Sequence, residues 1–123
     1  MPNYMSAVRK AIESQYDSKC DIFEKKKIKD VKTKITTFKE VKVYQNQNCR
    51  VSFEDIYVAN NSDTESVVQV KIKLFISPDI TINPGSKIIV TKKGKKNTYI
   101  NSGIPAVHDT HQEIILDDFK GWT

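Results

Sequence analysis

The stretch "VQVKIKLFI" (residues 68–76) decides the fold. Successive side chains of an extended chain point to opposite faces, so its strict alternation sorts it into two rows. Val68, Val70, Ile72, Leu74 and Ile76 make an apolar row for a core, and Gln69, Lys71, Lys73 and Phe75 make the row facing out. β-Branched residues dominate the inward row, and the period is that of a strand, not of a helix. Phe75 is an aromatic on a polar row, which makes it a candidate interface residue.

Downstream, "SPDITINPGS" (77–86) carries two turn signals, Pro78 and Pro84-Gly85. "KIIVT" (87–91) and "NTYI" (97–100) then flank a lysine tip, "KKGKK", as a hairpin. "SGIP" (102–105) is another turn, and "AVH" and "HQEIIL" (111–116) supply the last strands.

Upstream the period is again two. "CDIFEKKKI" (20–28) is a strand fraying into lysines, and "KDVKTKITT" (29–37) an extended hairpin tip. "FKEVKVYQ" (38–45) and "CRVSFEDIYV" (49–58) read as two strands with "NQN" as the turn between them. "ANNSDTES" (59–66) has no hydrophobic anchor and reads as a long polar loop. Only "YMSAVRKAIESQY" (4–16) has a helical stripe, with Tyr4, Val8, Ala11, Ile12 and Tyr16 inward and Arg9, Lys10, Glu13 and Ser14 outward. Asn3 stands where an N-cap belongs. The expected fold is therefore mainly β: a small β-barrel of about seven or eight strands with one short N-terminal helix.

At 123 residues, with no repeat or linker, the chain reads as a single domain, 1–123. Its net charge is +5, placed unevenly: residues 1–50 carry the basic excess, and residues 51–123 are slightly acidic. That asymmetry suits DNA contact or head-to-tail packing of identical subunits, and it equally suits a solvated lysine surface. Cys20 and Cys49 lie in apolar runs and read as small core thiols in a reducing, cytoplasmic setting, though spacing alone leaves a disulfide open. No run of residues is apolar and long enough to suggest a membrane span.

Catalytic patterns are missing. No serine sits in a nucleophile elbow, and no phosphate-cradling or dinucleotide glycine motif occurs. An enzyme is not expected, and no cofactor is. In "HDTHQE" (108–113), one continuous strand would place Asp109, His111 and Glu113 on one face and His108 on the other. That trio lacks a fourth ligand nearby, so a turn with an exposed histidine is preferred to a metal site. A single-strand nucleic-acid barrel would need stacking aromatics on one open face. Phe23, Phe38, Tyr44, Phe53, Tyr57, Phe75 and Tyr99 are instead scattered over the strands, so this reading stays an alternative.

Several stretches together carry a resemblance: "VRKAIESQYDSKCDIFE", "FKEVKVYQNQNCRVSFE", "VVQVKIKLFISPDITINPGSKIIVTKKGKKNTYINSGIPAVHDTHQEIIL" and the final "GW". The chain resembles the head-closure, or stopper, neck proteins of tailed bacteriophages and prophages. The specific part is an ordered set: "SPD", then "PGS" and "VT", then Gly94, Tyr99, "SG" and "HQE".

The resemblance implies a virion structural protein at the head–tail interface, assembled in the bacterial cytoplasm. Its subunits would form a homo-oligomeric ring of six- or twelve-fold symmetry that closes the capsid exit and offers the tail a docking face. Its partners would be copies of itself, portal and adaptor ring proteins, tail terminator or tail tube proteins, and packaged double-stranded DNA, contacted non-specifically; no membrane is involved. The polar loop Asn60, Asn61, Ser62, Asp63, Thr64 and Glu65 matches by position a loop that projects into the channel. Ring contacts are expected at Phe75, the tip Lys92, Lys93, Lys95 and Lys96, and at Asp117, Asp118, Phe119 and Trp122. The alternative within the same neck is a tail terminator or tail-completion ring protein.

Overall fold

The computed structural model describes residues 3–59 and 66–121, with the side chains of residues 3–5, 57–59 and 66–68 outside that description. The helix α1 (Asn3–Glu13) precedes strands β1 (Ser18–Lys29), β2 (Thr36–Ala59), β3 (Ser66–Ile76), β4 (Lys87–Lys92), β5 (Lys95–Asn101), β6 (Ala106–Val107) and β7 (Gln112–Asp118). All strand pairs are antiparallel, in the order β3-β2-β1-β4-β5-β7-β6. An additional β3–β7 pairing closes the sheet, so that β1, β2, β3, β7, β5 and β4 form a barrel-like ring of hydrogen bonds. The short β6 is an addition to β7.

The inward rows meet in one core. Ile22, Leu74, Ile76, Ile88 and Ile114 are fully excluded from solvent, each from a different wall except for the β3 pair. Cys20 and Cys49 are free thiols within this core. A hydrogen bond to Cys49 and burial push the Cys20 thiol well above its ordinary range.

The segment 77–86 plugs one end of the barrel, and two buried amides hold it there. Gln112 donates from Nε2 to the carbonyls of Ser77 (2.7 Å) and Ile80 (2.8 Å). Asn101 donates from Nδ2 to the carbonyls of Ile82 (3.3 Å) and Asn83 (3.2 Å), and its Oδ1 accepts from Gly103 N–H (3.1 Å). The carbonyls of this irregular segment thus find partners that a neighbouring strand would otherwise supply. Pro84 and Gly85 (φ 86°) occupy the centre of a turn closed by Ser86 N–H to Asn83 O, the pattern of a type II turn. Ile82, in between, drops into the core.

One expected turn is absent. Residues 38–45 and 49–58 are halves of β2, which runs through "NQN" without reversing. The register with β1 slips near Ile22, and Asn46 takes a left-handed conformation (φ 55°) with its N–H donating to Asp21 Oδ1 (2.9 Å). Residues suited to a turn here make a bulge, which bends the strand and lets it keep its partners.

The helix also differs. It ends at Glu13 rather than at Tyr16, Asn3 is its first residue, and Val8 is exposed. Tyr4 of the expected stripe has a side chain outside those described. Arg9, expected to face away, turns toward the barrel. Its guanidinium meets Asp79 Oδ2 (2.6 Å), Ser77 Oγ (2.7 Å) and Glu13 Oε1 (3.0 Å). An ion pair with the end plug thus joins the half-buried Ile12 and Tyr16 in tying the helix to the barrel.

Candidate interaction surfaces

The length of β2 has a direct consequence. It pairs with β1 up to Cys49 and with β3 from Cys49 onward, while β4 and β7 cover only Lys19–Phe23 of β1 and Ile72–Ile76 of β3. Beyond these limits two-stranded arms leave the barrel. A lone two-stranded ribbon gains little stability in water, so such arms are suited to being covered in an assembly.

The β2–β3 arm continues the barrel's inner face. The pairs Cys49–Ile76 and Val51–Leu74 lie in the core, and Phe53–Ile72 and Asp55–Val70 follow on the same face. Leu74 is buried, but Phe53 is 62% and Val70 56% exposed, because no wall stands opposite them among the described residues. The expected inward row of β3 is thus correct in direction, while its Val70 is uncovered and its Val68 side chain lies outside the described residues. The β1–β2 arm ends in a turn where Asp30 Oδ1 accepts from Lys32 N–H (2.9 Å), which lowers the Asp30 carboxyl. Val31, Ile35 and Phe38 are exposed on it, interleaved with Lys25, Lys26, Lys27, Lys29, Lys32, Lys34 and Lys39. Lys25 lies over the Phe38 ring at 4.7 Å.

The lysine tip is a two-residue hairpin with Lys93 (φ 50°) and Gly94 (φ 78°) both left-handed, as a type I′ turn requires. Lys93, Lys95 and Lys96 are exposed, whereas Lys92 pairs with Asp17 at 2.9 Å and lowers that carboxyl. Asp117 and Asp118 are exposed at the end of β7, opposite Ile100 and Tyr99. Tyr99 and Lys96 belong to the same strand, so the acidic pair sits roughly 10 Å along β5 from the basic tip. Phe119 folds back on its own barrel: its N–H donates to Thr98 O (3.3 Å) and its ring lies 5.1 Å from Lys87 Nζ. Phe75 is half-buried in a shallow hollow with Ile12, Tyr16, Arg50 and His111. The loop Asn60–Glu65 and Trp122 lie outside the described residues.

The histidine segment is not one strand. The chain turns between β6 and β7, closed by His108 N–H to His111 O (2.8 Å), and this brings His108 round to the side of His111 and Glu113. The trio expected on one face, with Asp109 as its first member, is replaced by His108, His111 and Glu113. The extended hairpin tip expected at 29–37 is the end of the β1–β2 arm, whereas the β2–β3 arm was missed, because splitting 38–58 at "NQN" hid a strand that outruns the barrel.

No protein-family model matches the chain, and no curated protein sequence does. Among solved structures, the fold matches that of the phage-like element PBSX protein xkdH from Bacillus subtilis. The likeness has a TM-score of 0.52 and covers 81% of this chain and 91% of that one, at 14% identity. At this identity the likeness is one of fold. No helix among the described residues is long and apolar enough to cross a membrane.

Proposed function

We propose that this chain is a non-catalytic structural protein of a tailed phage or prophage, a ring subunit of the neck between portal–adaptor and tail. The fold likeness to a phage-like element protein is the observation that carries this reading. It is supported by the two arms, whose apolar residues have no covering layer among the described residues. Ring subunits joined head to tail need two different surfaces that complement each other. The β2–β3 arm with Phe53 and Val70 supplies an apolar one, and the basic β1–β2 arm a charged one.

In this reading the ring closes the capsid exit after packaging, with residues 60–65 lining the channel and the exposed lysines facing neighbours or packaged DNA. Because the basic tip and Asp117–Asp118 sit at the same end of the subunit, each finds its complement on another protein more readily than on a simple rotated copy. Phe75, half-buried in its hollow, and Trp122 remain candidate contacts.

Electron microscopy of particles containing the chain tests the proposal. A ring of these subunits directly below the adaptor supports head closure. A ring at the end of the tail tube makes the chain a tail terminator instead, and absence from particles overturns the neck assignment. Deleting residues 60–65 is expected to leave the ring in place while packaged DNA leaks; full DNA retention would refute the channel role of that loop.

A further inference from the structure

We propose that His108, His111 and Glu113 form a binding site for a divalent zinc-type metal ion at the β6–β7 turn. This goes beyond the neck assignment and does not depend on it. The ligand atoms of the three residues lie within 4.8 Å of one another. Both imidazoles present Nε2 to the same carboxylate oxygen, Glu113 Oε2, His108 at 3.0 Å and His111 at 3.6 Å. Tetrahedral zinc with bonds of about 2.0–2.1 Å to nitrogen and oxygen separates its ligands by about 3.3 Å. The two imidazole–carboxylate distances, 3.0 and 3.6 Å, bracket that spacing, and the two imidazoles need only a small side-chain adjustment to close on an ion.

The surroundings hold the three side chains in place. Thr110 Oγ1 lies 3.2 Å from His111 Nδ1 and is placed to accept its proton in the Nδ1–H tautomer, the one that leaves the Nε2 lone pair for a metal. The His108 and His111 rings stack with centroids 4.8 Å apart, and Phe75 flanks His111 at 5.9 Å. Lys73 sits 3.8 Å from the other Glu113 oxygen, Oε1, and its charge is shared with Glu54 at 3.8 Å. Lys73 therefore orients the carboxylate with Oε2 toward the histidines.

Two imidazoles and one carboxylate suit zinc, nickel or copper and do not suit magnesium or calcium, which prefer oxygen ligands. Three protein ligands leave the fourth position to water. Without metal, His108 Nε2–H donates to Glu113. The ion takes the place of that hydrogen on Nε2 while the neutral ring keeps its one proton on Nδ1, so metal competes with protonation of the imidazoles and binding weakens in acid.

The test is calorimetric titration of Zn²⁺ into tag-free, chelator-treated full-length protein at pH 7.5, repeated at pH 5.5. The expected result is one ion per chain, with weaker binding at the lower pH. His108→Ala and His111→Ala should each lower the affinity about a hundredfold or more, and Asp109→Ala should leave it unchanged. His108 is half-exposed in a turn, so its variant is expected to fold, which circular dichroism checks. Absence of saturable one-to-one binding by the wild-type protein would overturn the proposal. So would binding that survives both histidine variants, or binding that Asp109→Ala abolishes.

Discussion

Arg9 of the helix and Asp79 of the barrel plug are joined by a 2.6 Å hydrogen-bonded ion pair, across 70 positions of sequence. The guanidinium holds the Asp79 carboxyl below its ordinary range. A carboxyl lowered in the folded state stabilises the fold above its unfolded value, near about pH 4, and that contribution disappears as pH falls through the folded value. Asp17, lowered by Lys92, acts with the same sign. Asp79→Asn should therefore melt slightly below wild type at pH 7, the loss being kept small by the exposure of Asp79, and thermal scans at decreasing pH should see the gap close. Arg9→Ala should reproduce the pH 7 loss, and combining the two should add little. A gap that persists unchanged into acid would mean that the pair does not fix the helix.

Gln112 is 1% exposed and satisfies two carbonyls of the plug with one amide. Gln112→Leu keeps a similar volume but strands both carbonyls. Leaving a buried acceptor unpaired costs about 1–3 kcal/mol, so a loss of about 2–4 kcal/mol is expected in urea unfolding. Thr110→Val, in the nearby turn, should change stability far less. Equal losses would place the effect in the turn, not in the plug.

The tip turn allows a test in both directions. Gly94 has a left-handed backbone and nothing within 4 Å of where a Cβ would stand, so Gly94→Ala is opposed by conformation alone. It should cost about 1 kcal/mol. Lys93 is left-handed without being glycine, and Asn tolerates that conformation better. Lys93→Asn should gain a few tenths of a kcal/mol in chemical denaturation.

These residues also explain how much could be read in advance. The alternation over 68–76 and the Pro-Gly pair foretell a strand and a turn, because backbone sterics act locally, but not that 77–86 closes over the core. Gln112 belongs to "HQE" of the ordered set that carries the resemblance and Asn101 directly precedes its "SG", yet their partners lie 32 and 19 positions away and no local pattern announces them. "NQN" failed for a different reason: the same residues favour a turn or a bulge, and only the β1 partner decides. Arg9 has helical spacing suited to solvent, and its true partner is in the plug. The His108–His111–Glu113 cluster needed the turn at 109–110, which the assumption of a continuous strand removed.

The uncovered face of the β2–β3 arm leads to a last expectation. Phe53 and Val70 continue the core face outward with no opposing wall among the described residues, which in the proposed ring makes them a contact. Phe53→Lys and Val70→Lys should change the stability of the purified chain by no more than about 0.5 kcal/mol, as is usual for exposed sites. In the proposed ring the same changes would put a charge into a contact. A buried aromatic anchor at an interface is worth about 2 kcal/mol or more, so incorporation of the chain should fall at least about tenfold. Paired measurements separate the two effects: urea unfolding of the purified variants, and the amount of the chain in purified particles. Normal incorporation of both variants would exclude this arm as a contact surface and leave the basic β1–β2 arm, with Val31 and Phe38, as the place to look.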